Sequence, residues 1–497
     1  MNVLIVNHHF EQDIEALLVS VPQDVEVRII SHTYFSDRAR TVFPDIVFTG
    51  PLEEYYAPEH ELTRARWRRE ARRVLEELFY LFPMDTVVVP SDTFFYIRDV
   101  GGAAKELGVQ FIVVQKETSI SPDGMNNEGH RQVRLFPMMA DHMTVCSERH
   151  KRYWLLDNAP SKKIEVTGQP RFDLYTQPER WQGWNALGIK LSDPNRRKIV
   201  FFTYEVNAYL PENLQVSGCS WEQLRRETEE SLVELVRSSH FAVIVKPHPQ
   251  QDSNDLYCMR QRLRNLSGEA WSEHIVVLEP TADSRHLLVN ADIVVAFQST
   301  VVLEALAIGK PIIYTYWTDI VQLCEESLLP YHKYSNILHC ARSPQQLISL
   351  ILDTESHKNN VDPDVARSRL ELVREYLGLM DGKASMRTWN AIQRTTIDRA
   401  SFNQEQIKNR VRLADNQRMY CRKEMIIAIL WFLFWRCWSI LLKPAILTSY
   451  GRALLGKVSS RAQRQFTRYL ECKVGLRHGR MQNRLLIGHV RERLLRF

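Results

Sequence analysis

Short, unbroken apolar runs recur along this chain, separated by segments with the period of an amphipathic helix. That alternation constrains the fold more than any other feature. Residues 3–6, 25–30, 45–49, 86–89, 111–114, 143–145 and 164–167 read as strands, with helices expected at 11–19, 62–82, 97–107 and 147–156. A strand that is apolar along its whole length needs cover on both faces. Helices supplied in alternation give that cover in a parallel sheet. The stretch from Tyr175 to Arg197 breaks the pattern with Pro178, Gly183 and Pro194, and reads as a connection. The alternation then resumes, with strands expected at 198–203, 242–245, 275–277, 293–296, 311–314 and 337–338. Helices at 221–238, 256–266, 284–289, 301–308 and 344–352 fill the gaps, and two more near 365–377 and 384–397 are placed to cross back and clamp the halves. The expected fold class is α/β: two doubly wound domains facing a cleft between their carboxyl-end edges, where open α/β sheets bind ligands. Expected boundaries are 1–174, a connection at 175–196, a second domain at 197–400 and a tail at 401–497.

Charge sets the tail apart. The chain carries a net +5, yet residues 401–497 hold 20 Lys and Arg against 5 Asp and Glu, so the first 400 residues are net acidic. Met425 to Trp435 is an apolar run of eleven, followed by Arg436, Ser439, Lys443 and Pro444. A spanning helix needs about 20 apolar residues. Trp431, Trp435 and Trp438 suit the headgroup level, and the flanking arginines suit an anionic leaflet. A basic helical tail lying on the membrane through residues 410–497 is therefore expected. A buried hairpin or an oligomer contact are the alternatives. Nucleic-acid binding is not expected, because no nucleic-acid motif accompanies the basic residues. Eight scattered cysteines without a Cys-x-x-Cys pair argue against a zinc site and a disulfide framework. The N-terminus lacks the basic region of a signal peptide, so a cytoplasmic protein, peripheral on the inner face of the membrane, is expected.

Two strand ends in the second half carry candidate chemistry. The apolar run 242–245 leads straight into Lys246-Pro247-His248-Pro249. Proline cannot continue a central strand, so the turn falls at the carboxyl end, and the flanking prolines restrict the backbone that presents His248. A His and a Lys at such an edge suit a phosphate oxygen. Alternatively, His248 bonds a backbone carbonyl and Lys246 is a solvated charge. The run 293–296 leads into Phe297-Gln298-Ser299-Thr300, then a helix containing Glu304, then Gly309-Lys310-Pro311. Ser299 or Thr300 sits where a helix cap belongs, beside free backbone N–H groups that attract anions. Glu304 is placed to accept from ribose hydroxyls, or is simply a first-turn acid.

In the first half, Gly168-Gln169-Pro170-Arg171-Phe172-Asp173 follows a strand. Gly168 permits close backbone approach and Arg171 suits bidentate phosphate binding, although a hinge with Arg171 paired to Asp173 explains the run equally. For a catalytic base, Glu117 just past the run 111–114 is the first choice, with Asp123 and His130 in the same loop. His8 and His9 follow a strand and line the cleft at most. No metal-ligand constellation is evident. Asp362-Pro363-Asp364 has the spacing but precedes a helix, where capping explains it.

These segments resemble the donor domain of GT-B-fold bacterial enzymes that build surface carbohydrates. Those families include capsule-polysaccharide transferases, relatives of CDP-glycerol glycerophosphotransferases, and the sialic acid and Kdo transferases that use CMP-sugars. The Cys146-Ser147-Glu148 segment and the run from Gly168 to Asp173 resemble the same families, and Glu304-Ala305 with Gly309-Lys310-Pro311 is also similar to UDP-sugar enzymes, including UDP-N-acetylglucosamine 2-epimerase. The resemblance covers about residues 1–380 and implies two Rossmann-like domains. It implies that His248, Ser299 and Thr300 hold the donor phosphate. The function it implies is transfer from a CMP-, CDP- or UDP-linked donor to a saccharide or lipid-linked acceptor; no cofactor is expected, and no metal, since fixed cations and helix N-termini can take its place. A UDP-sugar 2-epimerase-like enzyme, or an inactive GT-like membrane scaffold, are the competing expectations.

Overall fold

A computed structural model describes residues 1–116 and 134–397, except 157, 208–209, 211–213, 215–216, 239, 250, 269–272 and 355–362, plus scattered positions from Asn409 to Leu430. Strands β1 (Asn2–Asn7), β2 (Glu26–Ser31), β3 (Thr86–Val89), β4 (Gln110–Val114), β5 (His142–Val145) and β6 (Ile164–Val166) form one sheet in the order β2-β1-β3-β4-β5-β6. Strands β7 (Arg197–Phe202), β8 (Phe241–Lys246), β9 (Ile275–Val277), β10 (Ile293–Ala296), β11 (Ile312–Thr315) and β12 (His339–Ala341) form a second, in the order β12-β11-β10-β7-β8-β9. All described pairings are parallel.

Residue alternation shows why these strands are apolar throughout. Leu4, Val6, Val87, Val89, Phe111 and Val113 pack on one face of the first sheet, with Trp67, Leu75 and Phe79 of the helix Glu61–Leu81 and Ile97 of the helix Phe95–Glu106. Their neighbours Val3, Ile5, Val88, Ile112 and Val114 pack on the other face, against Ile14 and Leu17 of the helix Glu11–Val19. Trp389 and Ile392 of the helix Ala384–Ile397 complete that second face.

In each sheet the strand order reverses at one place: between β1 and β3, and between β7 and β10. Connections leave in opposite directions there and open a crevice at the carboxyl ends. Segments that follow strands of the two sheets meet. Gln12 Nε2 lies 3.4 Å from Asp283 Oδ1, and Tyr175 Oη donates to Glu304 Oε2 at 2.6 Å.

The helices Pro363–Leu377 and Ala384–Ile397 do cross back. Asp173 Oδ1 accepts from the backbone N–H of Ala384 at 2.8 Å, and Oδ2 from that of Ser385 at 2.6 Å. Trp389 Nε1 donates to the Leu17 carbonyl at 2.9 Å. Two left-handed glycines permit the crossing. A Cβ on Gly378 (φ +83°) would lie 1.9 Å from the Cys146 carbonyl oxygen, and one on Gly168 (φ +83°) would lie 3.0 Å from Ala384 Cβ.

The structure departs from the sequence reading locally. Residues 45–49, expected as a strand, form a short helix, Ile46–Thr49. The turn is closed by Val47 N–H to the Pro44 carbonyl and Phe48 N–H to the Asp45 carbonyl, and the short helix buries only Val47. The helix Thr33–Arg40 was not anticipated. Residues 337–338 precede β12 rather than forming it, their N–H groups both donating to the Tyr334 carbonyl. Cys146, Cys219, Cys258, Cys324 and Cys340 are free thiols. The described tail residues are helical, and Leu413 is buried in the core of the first sheet. Among the described residues no helix is long and apolar enough to cross a membrane. Most of the run 425–435 lies outside them.

Candidate functional site

The second sheet brings Lys246, His248, Ser299 and Thr300 to one edge. β8 and β10 flank β7 on either side, so the turns that follow them lie at the same carboxyl edge of the sheet, one on each side of the end of β7. Lys246 is 4% exposed, and its Nζ donates to the carbonyls of Pro247 at 2.7 Å and Pro280 at 2.8 Å. Burial pushes its pKa down to about 8 against an opposing pull from Asp283. The ammonium thus ties the β8 turn to the segment after β9. His248 stands half-buried beyond it, and Pro249 is exposed. Burial, then the charge of Lys246, lowers the His248 pKa, with Glu205 opposing. At neutral pH the imidazole is therefore uncharged and offers one donor and one acceptor.

The turn after β10 is fixed by Gln298, a non-glycine residue in the left-handed region (φ +46°). Its buried amide donates to Tyr314 Oη and accepts from the Leu329 N–H at 2.7 Å. Tyr331 Oη holds the Ser299 carbonyl at 3.2 Å. Ser299 Oγ accepts from Val301 N–H at 3.3 Å, while Thr300, at the cap position of the helix Val301–Ala307, makes no side-chain cap. Both side chains are half-buried at the crevice. Glu304 is buried, with one carboxylate oxygen taken by Tyr175. Burial, and then Glu304, raises the Tyr175 pKa well above its ordinary value, which keeps the phenol a donor.

The first-half candidates are engaged in joining parts of the chain. Arg171 Nη1 pairs with Asp13 Oδ2 at 3.2 Å and donates to the Lys116 carbonyl at 2.8 Å. Asp173 caps the returning helix instead of pairing with Arg171. The close approach that Gly168 permits is made by Ala384 and Arg387. Glu117, Asp123 and His130 lie outside the described residues.

One set of cleft residues escaped the sequence reading, and a second was seen there only in part, as His8 and His9. Glu15 pairs with Arg180 at 2.7 Å and with Arg285 at 2.8 Å, and Arg285 pairs with Asp283 at 2.7 Å. Burial of Glu15 would raise its pKa, but hydrogen bonds from Arg285 and Arg180 outweigh it and hold the carboxylate ionised. This chain of charges links the helix after β1 to the segment after β9. The second set is aromatic and imidazole. β1 and β2 run in register with Asn7 beside Ser31, so the next residues on each strand, His8 and His32, become neighbours with rings 4.0 Å apart. The ring of Phe94 lies 4.3 Å from that of His8. The signal was present in the His8-His9 pair, but His32 acquires meaning only from the register.

For metals, Glu54, Glu59 and His60 offer ligand atoms within 4.8 Å of one another among the described residues. They lie on the turns before the helix Glu61–Leu81, and His60 Nε2 is already 2.9 Å from Glu54 Oε1.

Comparison with known proteins adds to this geometry. A family model described as CDP-Glycerol:Poly(glycerophosphate) glycerophosphotransferase matches residues 68–394. The solved UDP-GlcNAc 2-epimerase of Neisseria meningitidis bound to UDP-GlcNAc is similar over 79% of this chain and 100% of that one, at 15% identity and a TM-score of 0.50. At that identity the likeness concerns the fold, and it agrees with the GT-B arrangement of two parallel α/β domains. A putative UDP-N-acetylglucosamine 2-epimerase from Listeria monocytogenes is similar over 79% of this chain and 95% of that one, at 18% identity and a TM-score of 0.49. A glycosyltransferase from Rickettsia africae is similar over 80% and 98%, at 14% identity and a TM-score of 0.44. A comparison with curated proteins found no match.

Proposed function

The chain belongs to the CDP-Glycerol:Poly(glycerophosphate) glycerophosphotransferase family, and from that premise we propose that it is a metal-independent transferase of surface or capsular polysaccharide synthesis. It takes a glycosyl or glycerophosphate-type group from a CMP-, CDP- or UDP-linked donor and passes it to a membrane-linked saccharide. In this reading residues 1–174 form the acceptor half, 175–196 the connection, 197–400 the donor half with its crossing helices, and 401–497 a basic tail resting on the inner face of the cytoplasmic membrane.

One observation carries the proposal: Ser299 and Thr300 follow β10 at the point where the second sheet reverses its strand order, and His248 follows β8 at the same carboxyl edge, on the other side of β7. A neutral imidazole N–H and two hydroxyls are donors suited to donor phosphate oxygens. Lys246 supports this by holding the β8 turn in place, and its nearby charge adds to the attraction for an anion. Glu304, bonded to Tyr175, is placed to meet a ribose hydroxyl with its other oxygen. Gly168 and Arg171 are assigned to the donor phosphate from the hinge side, with Arg171 also joined to Asp13 and the Lys116 carbonyl. Glu117 is proposed as the base that removes the proton of the acceptor hydroxyl.

The test is His248→Ala in the full chain. Donor turnover is expected to fall below detection while the thermal midpoint stays within about 2 °C of the parent; normal turnover sinks the assignment. A thermal-shift panel with CMP, CDP, UDP and GDP identifies the nucleotide, since a ligand at about 100 times its Kd stabilises by about 2.7 kcal/mol. No shift with any of them favours the scaffold alternative. Conversion of a free UDP-sugar without acceptor favours the epimerase.

A further inference from the structure

We propose that Glu15 is a charged latch that holds the two halves together beside the donor edge and sets the rate at which a nucleotide enters and leaves. The latch is argued from contacts between the halves; only its effect on nucleotide exchange rests on the transferase reading. The chain passes between the halves twice. Val166 packs on the core of the first sheet, while Phe172 belongs to that of the second. On the way back, Leu377 belongs to the core of the second sheet and Trp389 to that of the first. The two crossings touch: a Cβ on Gly378 would lie 3.7 Å from Gly168 Cα, and both glycines are left-handed at φ +83°. Glycine takes up that conformation without steric cost, and two such residues side by side give the halves a joint. The bonds at the joint are buried. Asp13, 1% exposed, accepts from Gln169 Nε2 at 2.8 Å and from the Arg171 N–H at 3.0 Å. Cys146 Sγ lies 3.4 Å from the Tyr376 carbonyl.

Glu15 follows Asp13 on the same helix, and its contacts are of another kind. Its carboxylate accepts from Arg180 Nη2 at 2.7 Å and from Arg285 Nη2 at 2.8 Å. Arg180 lies in the connection, which packs on the core of the second sheet through Tyr175, Trp184 and Leu187. Arg285 lies in the helix Ser284–Asn290 of the second half. Beside them Gln12 reaches Asp283. The side chains of Glu15 and Arg180 are 32% and 30% exposed. Ion pairs between groups so exposed are weak singly and fade with salt. Arg285 is buried, but Asp283 binds it through both oxygens, Nε to Oδ1 at 3.1 Å and Nη2 to Oδ2 at 2.7 Å. Its charge stays matched when Glu15 lets go, while Glu15 and Arg180 return to water. The contact can therefore part without stranding a buried charge, which a latch requires and a permanent joint does not.

The place where the latch lands ties it to the donor edge. Asp283 and Arg285 follow closely on Pro280, whose carbonyl takes the Lys246 ammonium at 2.8 Å. Lys246 in turn starts the turn that presents His248. One short segment, 278–285, thus receives the first half through Glu15 and Gln12 and holds the β8 turn through Lys246. Movement of the first half about the glycine joint is passed along that segment to the donor edge.

The experiment is single-molecule energy transfer in the full chain, with dyes on non-canonical residues placed at Leu62 and Leu323, exposed positions on the first and second halves. Glu15→Gln keeps the shape of the side chain and removes its charge. Arg180→Gln removes one partner at a half-exposed position, so it spares the core. The parent is expected to populate the near-dye state at about 0.1 M salt and to lose it at about 1 M, where the screening length falls from about 10 Å to about 3 Å. At the lower salt Glu15→Gln should raise the open-to-closed ratio about fivefold, the size expected of two half-exposed ion pairs, and Arg180→Gln should fall between. Glu15→Gln should then respond little to further salt. Transfer that changes neither with the charge at Glu15 nor with salt overturns the latch. Release of fluorescent analogues of CMP, CDP, UDP and GDP, followed by stopped flow, should quicken in Glu15→Gln by a similar factor. Unchanged release beside a larger open population overturns the control of exchange. A parent that binds none of the four sinks the transferase reading, and the latch is then decided by the dyes alone.

Discussion

Replacing Asp173 tests how the two halves are joined. Both its oxygens accept backbone N–H groups, from Ala384 and Ser385, at the start of the helix that returns to the first sheet. Asp173 is 5% exposed, so water cannot take over when it is removed. A hydrogen bond to a charged group contributes about 1.5–3 kcal/mol, and two are lost in Asp173→Ala. Relief of the carboxylate's desolvation returns part of that, leaving a net loss of about 2–4 kcal/mol. With unfolding entropy near 2.1 cal/mol/K per residue over about 400 residues, the thermal midpoint falls by about 2–5 °C. The informative variant is Asp173→Asn. At an ordinary helix cap Asn and Asp are equivalent, because one oxygen suffices. Here the amide NH2 would face a backbone donor, so Asn should be nearly as harmful as Ala. Thermal scanning gives the global effect. Hydrogen exchange over 384–397 gives the local one, which matters because a chain of two domains need not unfold in one step. An Asn variant with parental midpoint and parental protection in that helix would refute the reasoning.

Other outcomes are expected. Deleting residues 425–497 should move the protein from the membrane fraction to the soluble one; persistence at the membrane places the anchor elsewhere, for example on the basic helix Glu61–Leu81. Lys246 has a folded pKa of about 8, below its ordinary 10.5. Between those values the unfolded chain binds the proton that the folded chain has released, so Lys246 makes stability rise with pH across that window. Thermal midpoints measured against pH should lose part of that slope in Lys246→Met, and an unchanged slope removes the assignment. Gly378→Ala places a Cβ 1.9 Å from the Cys146 carbonyl oxygen at φ +83°. A loss of at least about 1–3 kcal/mol in chemical denaturation is expected, and a neutral result means the crossing is looser than described.

The strands were legible because burial on both faces leaves a plain mark: Val3 and Ile5 face one way, Leu4 and Val6 the other, and all four are apolar. The returning helix Ala384–Ile397 was legible from its own periodicity. Residues 45–49 misled because an apolar run of that length fits either element, and the choice was made by Pro44 and by the burial of Val47 alone. Partnerships were the hidden part. Lys246 meets Pro280 across 34 residues, Arg171 meets Asp13 across 158, and Asp173 meets Ser385 across 212. Nothing local announces such pairs. The sequence suggested Asp173 for Arg171 because it was near, whereas the fold gave each a distant partner. His32 illustrates the same limit, since only the pairing of β1 with β2 sets it beside His8.

The face of the first sheet that Trp389 and Ile392 complete has a consequence for how the chain is born. A ribosome releases β1 to β6 by residue 166, yet the residues that close over Val3, Ile5, Val88, Ile112 and Val114 emerge more than two hundred positions later. Through all of that interval the nascent first half lacks the Trp389 and Ile392 side chains that pack on this apolar face. The second half, whose six strands β7 to β12 all lie between, can assemble while the first half waits. A chain stopped near residue 380 would keep that face bare, and its soluble yield should collapse relative to one stopped near 400. The two halves are therefore finished in the reverse of the order in which they are made.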